Sequence, residues 1–338
     1  MRKQFLLLFL FSICIELCAQ HPADNPTILF YNVENLFDTQ NDSLTLDDEF
    51  LPDGERHWTR NRFQQKVNHL SKVILSCSGF NPPAIIGLCE VENRYVLEQL
   101  TQETPLKKLG YRIIHKDSPD ERGIDVALLF RPEIVKPLYF SYHPVIDGKG
   151  GIESTREILQ AGFALPKDDT VHVFVNHWPS RYSGQAKTAP QRMRAAQTLL
   201  SAIMELRVES PKAKVIAMGD FNDGPESASL LELTKQKAAN SDSAVSISLV
   251  NLSRSWQQGT LKYRQSWFVF DQILVSQELM EPNGWFVHAQ SATIVNLPFL
   301  LIPDSKYQGM KLNRTYNGFR YQGGFSDHLP VLLKLSYQ

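Results

Sequence analysis

Val215-Ile216-Ala217-Met218-Gly219-Asp220-Phe221-Asn222-Asp223-Gly224-Pro225 joins a short, unbroken apolar run to a glycine, an acid and an amide. A run of this kind, bounded by polar or glycine punctuation, reads as a strand covered on at least one face. Side chains two apart on a strand share a face, so Asp220 and Asn222 point together at its end. Alone, the segment fits an ordinary turn equally well, because Asp, Asn, Gly and Pro all favour local hydrogen bonding. Its meaning comes from the same construction recurring along the chain.

Strands are expected at Thr27–Asn32, Ala84–Cys89, Tyr111–His115, Asp125–Phe130, Val171–Asn176, Lys214–Met218, Phe270–Val275 and Pro330–Leu335. Helical spacing is expected over Asn61–Leu75, Ala189–Arg207 and Ser227–Lys235. In the second of these, Met193, Ala196, Leu199, Leu200, Ile203 and Leu206 form a core-facing stripe. Strands outnumber helices, and helices separate only some of them. The expected fold is therefore α/β: two packed mixed β-sheets flanked by helices, a four-layer α/β/β/α sandwich in one domain over residues 20–338. Residues 283–325 hold few clear elements besides the apolar run Ile294–Ile302 and read as a long excursion.

Several strands end in groups that chemistry can use. In Asn32-Val33-Glu34-Asn35, strand alternation puts Asn32 and Glu34 on the same side, an amide and a carboxylate pointing together. Glu90 follows the apolar Ala84–Cys89 run directly, and a buried charge there requires a partner or a metal. Asn176-His177-Trp178-Pro179-Ser180-Arg181 follows Val171–Val175, and Asp271 is embedded among the aromatic and aliphatic residues of Phe268–Ile273. Gly324-Phe325-Ser326-Asp327-His328-Leu329-Pro330 sets a carboxylate and an imidazole at the mouth of the last strand. Each has a bland alternative: Asp271-Gln272 as a satisfied core pair, Asn32–Asn35 as strand-end capping, His177-Trp178-Pro179 as a stacked loop edge. Glu92 and Asn93 read as a helix start rather than as ligands. Hard oxygen donors, without paired cysteines or His-x-x-x-His spacing, favour Mg²⁺, or alternatively Mn²⁺ or Ca²⁺, over zinc. Histidines near the carboxylates and an arginine for an anionic oxygen complete a set suited to attack of water on a phosphate ester.

In this order the motifs resemble the endonuclease/exonuclease/phosphatase superfamily, the deoxyribonuclease I-like enzymes, from Asn32 to His328. Asn32–Asp38 and Arg122-Gly123-Ile124-Asp125-Val126-Ala127 further resemble its exported bacterial members. The resemblance implies that Glu90 is the principal metal ligand, with Glu34 and Asp327 as further metal-site residues. It implies that Asn32 orients the metal or a phosphate oxygen, that Asp220 positions or deprotonates the attacking water, and that Asn222 hydrogen-bonds a non-bridging oxygen. His328, kept protonated by Asp271, would stabilise the pentacovalent phosphorane, and His177 would be an acid for the leaving oxygen. Arg181 is expected to clamp a phosphate.

Residues 1–19 read as a secretory signal: basic Arg2 and Lys3, the apolar stretch Phe5–Ile15, and Leu17-Cys18-Ala19 before the cut. The expected protein is secreted or periplasmic and monomeric, without a transmembrane segment, lipid anchor or stable protein partner. Losing Arg2, Lys3 and Glu16 takes the formal charge from −1 to about −2. A nearly neutral chain lacks the basic surplus of a general polyanion binder, so contact with nucleic acid must be local. Arg181, Lys187, Arg192 and Arg194 form one candidate patch, and Lys306, Lys311, Arg314 and Arg320 a second. For Arg192 and Arg194 the wet side of a helix is the slightly favoured reading. The preferred substrate is nucleic acid. A phospholipid or inositol phosphate is the alternative, with Asn296–Pro303 as a lipid-facing loop, and a non-catalytic polyanion binder is the remote one. Two cysteines remain in the mature chain, and Cys89 is expected to be a buried thiol.

Overall fold

Thr27–Leu36 (β1), Ile85–Val91 (β2), Arg112–His115 (β3) and Asp125–Phe130 (β4) build one sheet with the Ala292–Ile294 and Val331–Lys334 strands. The order across it is Ala292–Ile294, Val331–Lys334, β1, β2, β4, β3, with only β1 and β2 parallel. Lys136–His143 (β5), Ile158–Leu165 (β6), Asp169–His177 (β7) and Val215–Asp220 (β8) continue through Asp271–Ser276 to Leu249–Asn251 in the second sheet. There β7 and β8 are the parallel pair. The computed structural model describes residues 25–79, 81–235 and 248–338; the expected export signal lies outside them. Among the described residues no helix is long and apolar enough to cross a membrane.

Strand alternation sends one face of each sheet inward, where Ile28, Phe30, Val173, Val175, Met218 and Ile273 meet in a shared core. The outward face of the first sheet is covered by Arg60–Ser76 (α1) and Arg94–Gln102 (α2). Gln185–Glu209 (α3) and Ala228–Thr234 (α4) cover the second. These are the four layers expected. The sheets approach closely at Gly87, where an added Cβ would lie 2.6 Å from Met218 Cε and 3.1 Å from a Val175 methyl carbon.

All eight expected strands and all three expected helices form, with ends displaced by a few residues. β5 and β6 were not anticipated, and of α2 only its start at Glu92 and Asn93 was. Gln160 and Gly162 interrupt the apolar run of β6, and β5 exposes Leu138 and Phe140 on a sheet edge. Asn93 does open a helix: its side chain accepts the Val96 N–H at 3.1 Å, which makes it the cap of α2. The excursion before Asp327 is knitted by short hairpins, Leu301–Pro303 with Met310–Leu312 and Tyr316–Asn317 with Arg320–Tyr321. Val295 and Leu300 within it are buried against the outer face of the first sheet, so the apolar run is packing. Cys77 and Cys89 are free thiols, Cys89 buried.

Candidate active site

The two parallel pairs bring four strand ends to one edge. Asn32 registers with Cys89, next to Glu90, in the first sheet, while His177, Asp220 and Asp271 form one row across the second. Asn32 is completely buried and ties the sheets together. Its Nδ2 donates to Glu90 Oε1 at 3.0 Å and to Asp220 Oδ2 at 3.1 Å. The backbone is unusual where the strands stop: Glu34, Asn35, Glu90 and Asn222 have φ of 52°, 53°, 61° and 50°. Left-handed conformations are costly for residues with a Cβ and recur where a site re-aims its side chains. At Glu90 the turn comes with a register shift against β4, and it delivers Oε2 to the Asn35 N–H at 2.9 Å.

His177 Nε2 lies 3.8 Å from Glu90 Oε1 and 3.9 Å from Asp220 Oδ2. His328 Nδ1 contacts Asp271 Oδ2 at 2.7 Å, and its Nε2 faces Asp220 Oδ2 at 3.7 Å. Asp220 Oδ1 accepts the Asn222 N–H at 2.9 Å, and the Asn222 side chain donates to the Trp178 carbonyl at 3.0 Å. An amide nitrogen carries two hydrogens, so one remains for a substrate oxygen.

The charges follow from burial and neighbours. Burial opposes the charged form of His328, but Asp271, Asp220 and Asp327 outweigh it and hold the imidazolium well above its ordinary range. Asp220 is pushed up, first by burial and then by Asp271 and Glu90, against the pull of His328 and the Asn222 N–H. His177 is driven well below its usual value by burial and by Arg156, Arg122 and His328, so it stands as a neutral imidazole. That is the form that ligates a metal, and it is the opposite of the charge state expected of a leaving-group acid.

The residues fit a divalent cation. Ligand atoms of Glu90, His177 and Asp220 lie within 4.8 Å of one another, as do those of Asp220, Asp271 and His328. Among the described residues no lysine or arginine ion-pairs with Glu90, Asp220 or Asp271. One imidazolium thus faces three carboxylates, and buried Asp271 Oδ1 and His177 Nδ1 have no hydrogen-bond partner. A hard cation on Glu90 and Asp220 would balance that excess.

Three expected residues are engaged differently. The alternation meant to align Glu34 with Asn32 is broken by the left-handed turn. The Glu34 carboxylate instead accepts Arg314 Nε at 3.2 Å and the Thr315 and Tyr316 N–H groups at 2.6 and 3.3 Å. Asp327 ion-pairs with the same Arg314 at 2.7 Å, and its Oδ1 is 4.0 Å from His328 Nε2. Arg181 donates to the Asn222 carbonyl and to Asp223 Oδ1, both at 2.7 Å, and so braces the loop that carries Asn222. Of the first basic patch, Arg192 and Arg194 are paired too, and Lys187 is exposed. Arg192, read as a wet helix face or a phosphate contact, is 0% exposed and ion-pairs with Asp223 at 2.8 Å; Arg194 pairs with Glu153.

Two residues escaped the sequence reading. Arg156 is buried under the His177 loop, donating to Asp120 Oδ2 and the Trp178 carbonyl, both at 2.8 Å. Its signal was a charge at the mouth of an apolar strand, the signature used elsewhere. Lys66 sits between Phe63 and Leu70 on the apolar stripe of α1 and donates to Thr315 Oγ1 and the Phe325 carbonyl. Burial takes it down to about 8 against the opposing pull of Glu34 and Asp327. A lysine at a stripe position was the clue.

A family model, described as Endonuclease/Exonuclease/phosphatase family, matches residues 27–337. No curated protein matches the chain. Similar solved structures include a mannosyl-6-phosphatase of Bacteroides thetaiotaomicron, 15% identical with TM-score 0.57, covering 92% of this chain and 100% of that one. The human Nocturnin catalytic domain with bound sulfate is 15% identical, TM-score 0.57, covering 93% and 94%. A D. rerio TDP2 complexed with a single-strand DNA product is 16% identical, TM-score 0.54, covering 92% and 99%. At these identities the likeness is one of fold.

Proposed function

The chain belongs to the endonuclease/exonuclease/phosphatase family of metal-dependent phosphoester hydrolases, and we propose that it is an exported nuclease hydrolysing phosphodiester bonds of DNA or RNA. The observation that carries this reading is the His328–Asp220 pairing across the strand-end row: a charged imidazole, held by Asp271, 3.7 Å from a carboxylate. Asp220 takes the proton of an attacking water as its oxygen bonds to phosphorus. His328 and Asn222 donate to the non-bridging oxygens, where negative charge grows. Asn32 keeps Glu90 and Asp220 at a fixed separation. Glu90, with neutral His177 and Asp220, would hold Mg²⁺, which when bound supplies Lewis-acid stabilisation of a phosphate oxygen. The bond from phosphorus to the leaving oxygen then breaks, and solvent returns a proton to that oxygen.

Nucleic acid is favoured as substrate because a similar fold is seen with a single-strand DNA product. The basic N-terminal start and the apolar stretch behind it support export. The test is a hydrolysis panel on residues 20–338 with Mg²⁺, Mn²⁺ or EDTA, offering plasmid DNA, RNA, sphingomyelin, an inositol phosphate and a simple phosphodiester. Metal-dependent cleavage of nucleic acid, lost on Asp220→Asn and on His328→Ala, is expected. Turnover of lipid or inositol phosphate alone would replace the substrate, and turnover indifferent to both variants would remove the site.

A further inference from the structure

Beside the strand-end cluster lies a cavity of ≈ 550 Å³. Its walls are two hairpins, Leu261–Tyr263 with Ser266–Phe268 and Leu301–Pro303 with Met310–Leu312. Lys262 locks them together, reaching Asp304 at 2.8 Å and the Met310 carbonyl at 2.9 Å. Asp304 in turn accepts the Lys306 and Tyr307 N–H groups at 3.0 and 3.1 Å, which fixes the turn that carries both residues. Arg314 and Asp327 close the inner end. Asp327 is therefore the link between this groove and His328, while Asp220, Asn222, Asp271 and His328 themselves do not line it.

The lining charges do not cancel. Five cations, Lys262, Arg264, Lys306, Lys311 and Arg314, face two acids, Asp304 and Asp327. Asp304 is taken by Lys262, and Asp327 by Arg314, which also pairs with Glu34. Arg264, Lys306 and Lys311 have no carboxylate partner among the described residues. A chain of formal net charge −1 thus gathers three unmatched cations around one concavity. Low-dielectric walls focus such a potential, and an anion gains more there than on open surface. Tyr263 exposes its ring at the rim beside Arg264, and Tyr307 lies beside Lys306.

We propose that this groove is a second-phosphate subsite, in which Arg264, Lys306 and Lys311 seat a phosphate group of the substrate other than the one hydrolysed. The inference rests on the phosphoesterase reading above and narrows it. The preferred substrates carry at least two phosphate groups, as a nucleic-acid strand or a polyphosphorylated small molecule does. A monoester of a neutral sugar leaves the subsite empty. The tyrosine rings offer a base a stacking surface, which favours the strand.

The experiment compares wild type with Lys306→Ser, Lys311→Ser, their combination and Arg264→Ser. Its substrates are a short single-stranded oligonucleotide, an inositol trisphosphate and bis(4-nitrophenyl) phosphate, which has one phosphate. For the preferred polyphosphate, the ratio of its kcat/KM to that of the single-phosphate ester should fall about tenfold per cation removed, through KM rather than kcat. With the oligonucleotide, the slope of log affinity against log salt should become shallower by about 0.7 per cation. The polyphosphate that shows the loss identifies the source of the second phosphate. Equal losses on all three substrates, or none on either polyphosphate, would overturn the subsite. Anisotropy of a fluorescein-labelled oligonucleotide in EDTA reads the groove without turnover. A protein that hydrolyses nothing but binds the oligonucleotide more weakly as the Lys306→Ser/Lys311→Ser variant keeps the groove and loses the hydrolase reading. Wild-type hydrolysis that both lysine variants share undiminished does the reverse.

Discussion

At the scale of single residues the site is a compromise between stability and chemistry. Asp220 is a buried carboxylate held for its proton affinity, so its amide isostere removes a cost of folding together with the base. Asp220→Asn should therefore melt no lower than wild type while losing about 10³-fold or more in turnover, measured by thermal denaturation beside single-turnover kinetics. Glu92 offers a stability test outside the catalytic chemistry. Burial, with Asp38 close by, raises it to about 8. An acid raised in the folded state binds protons that the unfolded chain has released, so stability falls as pH rises from about 4.5 towards 8. Glu92→Gln should flatten that decline, with a Tm about 3 °C or more above wild type at pH 8 and little difference near pH 4.5. The Asp-x-Asn and Asp-His pairs were legible because polar groups set directly beside an apolar run are a local signal, although Asn222, with φ of 50°, lies past the strand end. The expected alternation of Asn32 and Glu34 fails at Glu34 itself, whose φ of 52° turns its carboxylate to Arg314 and Thr315, and only the folded backbone reveals it.

At the scale of elements, the loop after β8 is held by α3, α4 and the loop after β7 as well as by its own Asp220–Asn222 turn. Asp223 ion-pairs with Arg192 at 2.8 Å and accepts hydrogen bonds from Arg181 at 2.7 Å and Ser229 Oγ at 2.6 Å. Arg192→Met keeps the bulk and leaves buried Asp223 with Arg181 as its remaining cation. It should cost about 2 kcal/mol in urea unfolding and lower kcat through the displaced Asn222. β8 itself tolerates no side chain at Gly219, where an added Cβ would lie 2.3 Å from the Asn176 carbonyl oxygen. Gly219→Ala should destabilise by about 2 kcal/mol and separate His177 from Asp220, visible as a lower urea midpoint and a lower kcat. Helices and strands with unbroken apolar patterns were readable from spacing. β6 was missed because Gln160 and Gly162 break its pattern, and β5 because an edge strand with exposed Leu138 and Phe140 has no clean alternation.

For the whole molecule, the cation is the remaining test of the assembled edge. Mg²⁺ or Mn²⁺ should raise the Tm of the EDTA-treated protein by about 3 °C or more, and Glu90→Gln should abolish that shift along with hydrolysis. A shift that survives Glu90→Gln would move the cation elsewhere. By itself the sequence determined the layers and their chemistry: apolar runs ending in carboxylates, amides and histidines mark strands whose ends face a reaction, because burial and periodicity are properties of local spacing. Tertiary structure alone decided the partners. Asn32 meets Asp220, and Lys66 meets Thr315, across separations of 188 and 249 residues. Likewise Arg192 turns inward to Asp223, while Arg264, Lys306 and Lys311 have no carboxylate partner among the described residues around one groove. A charge's role depends on which opposite charge the fold brings within a few ångströms, and no spacing along the chain encodes that distance.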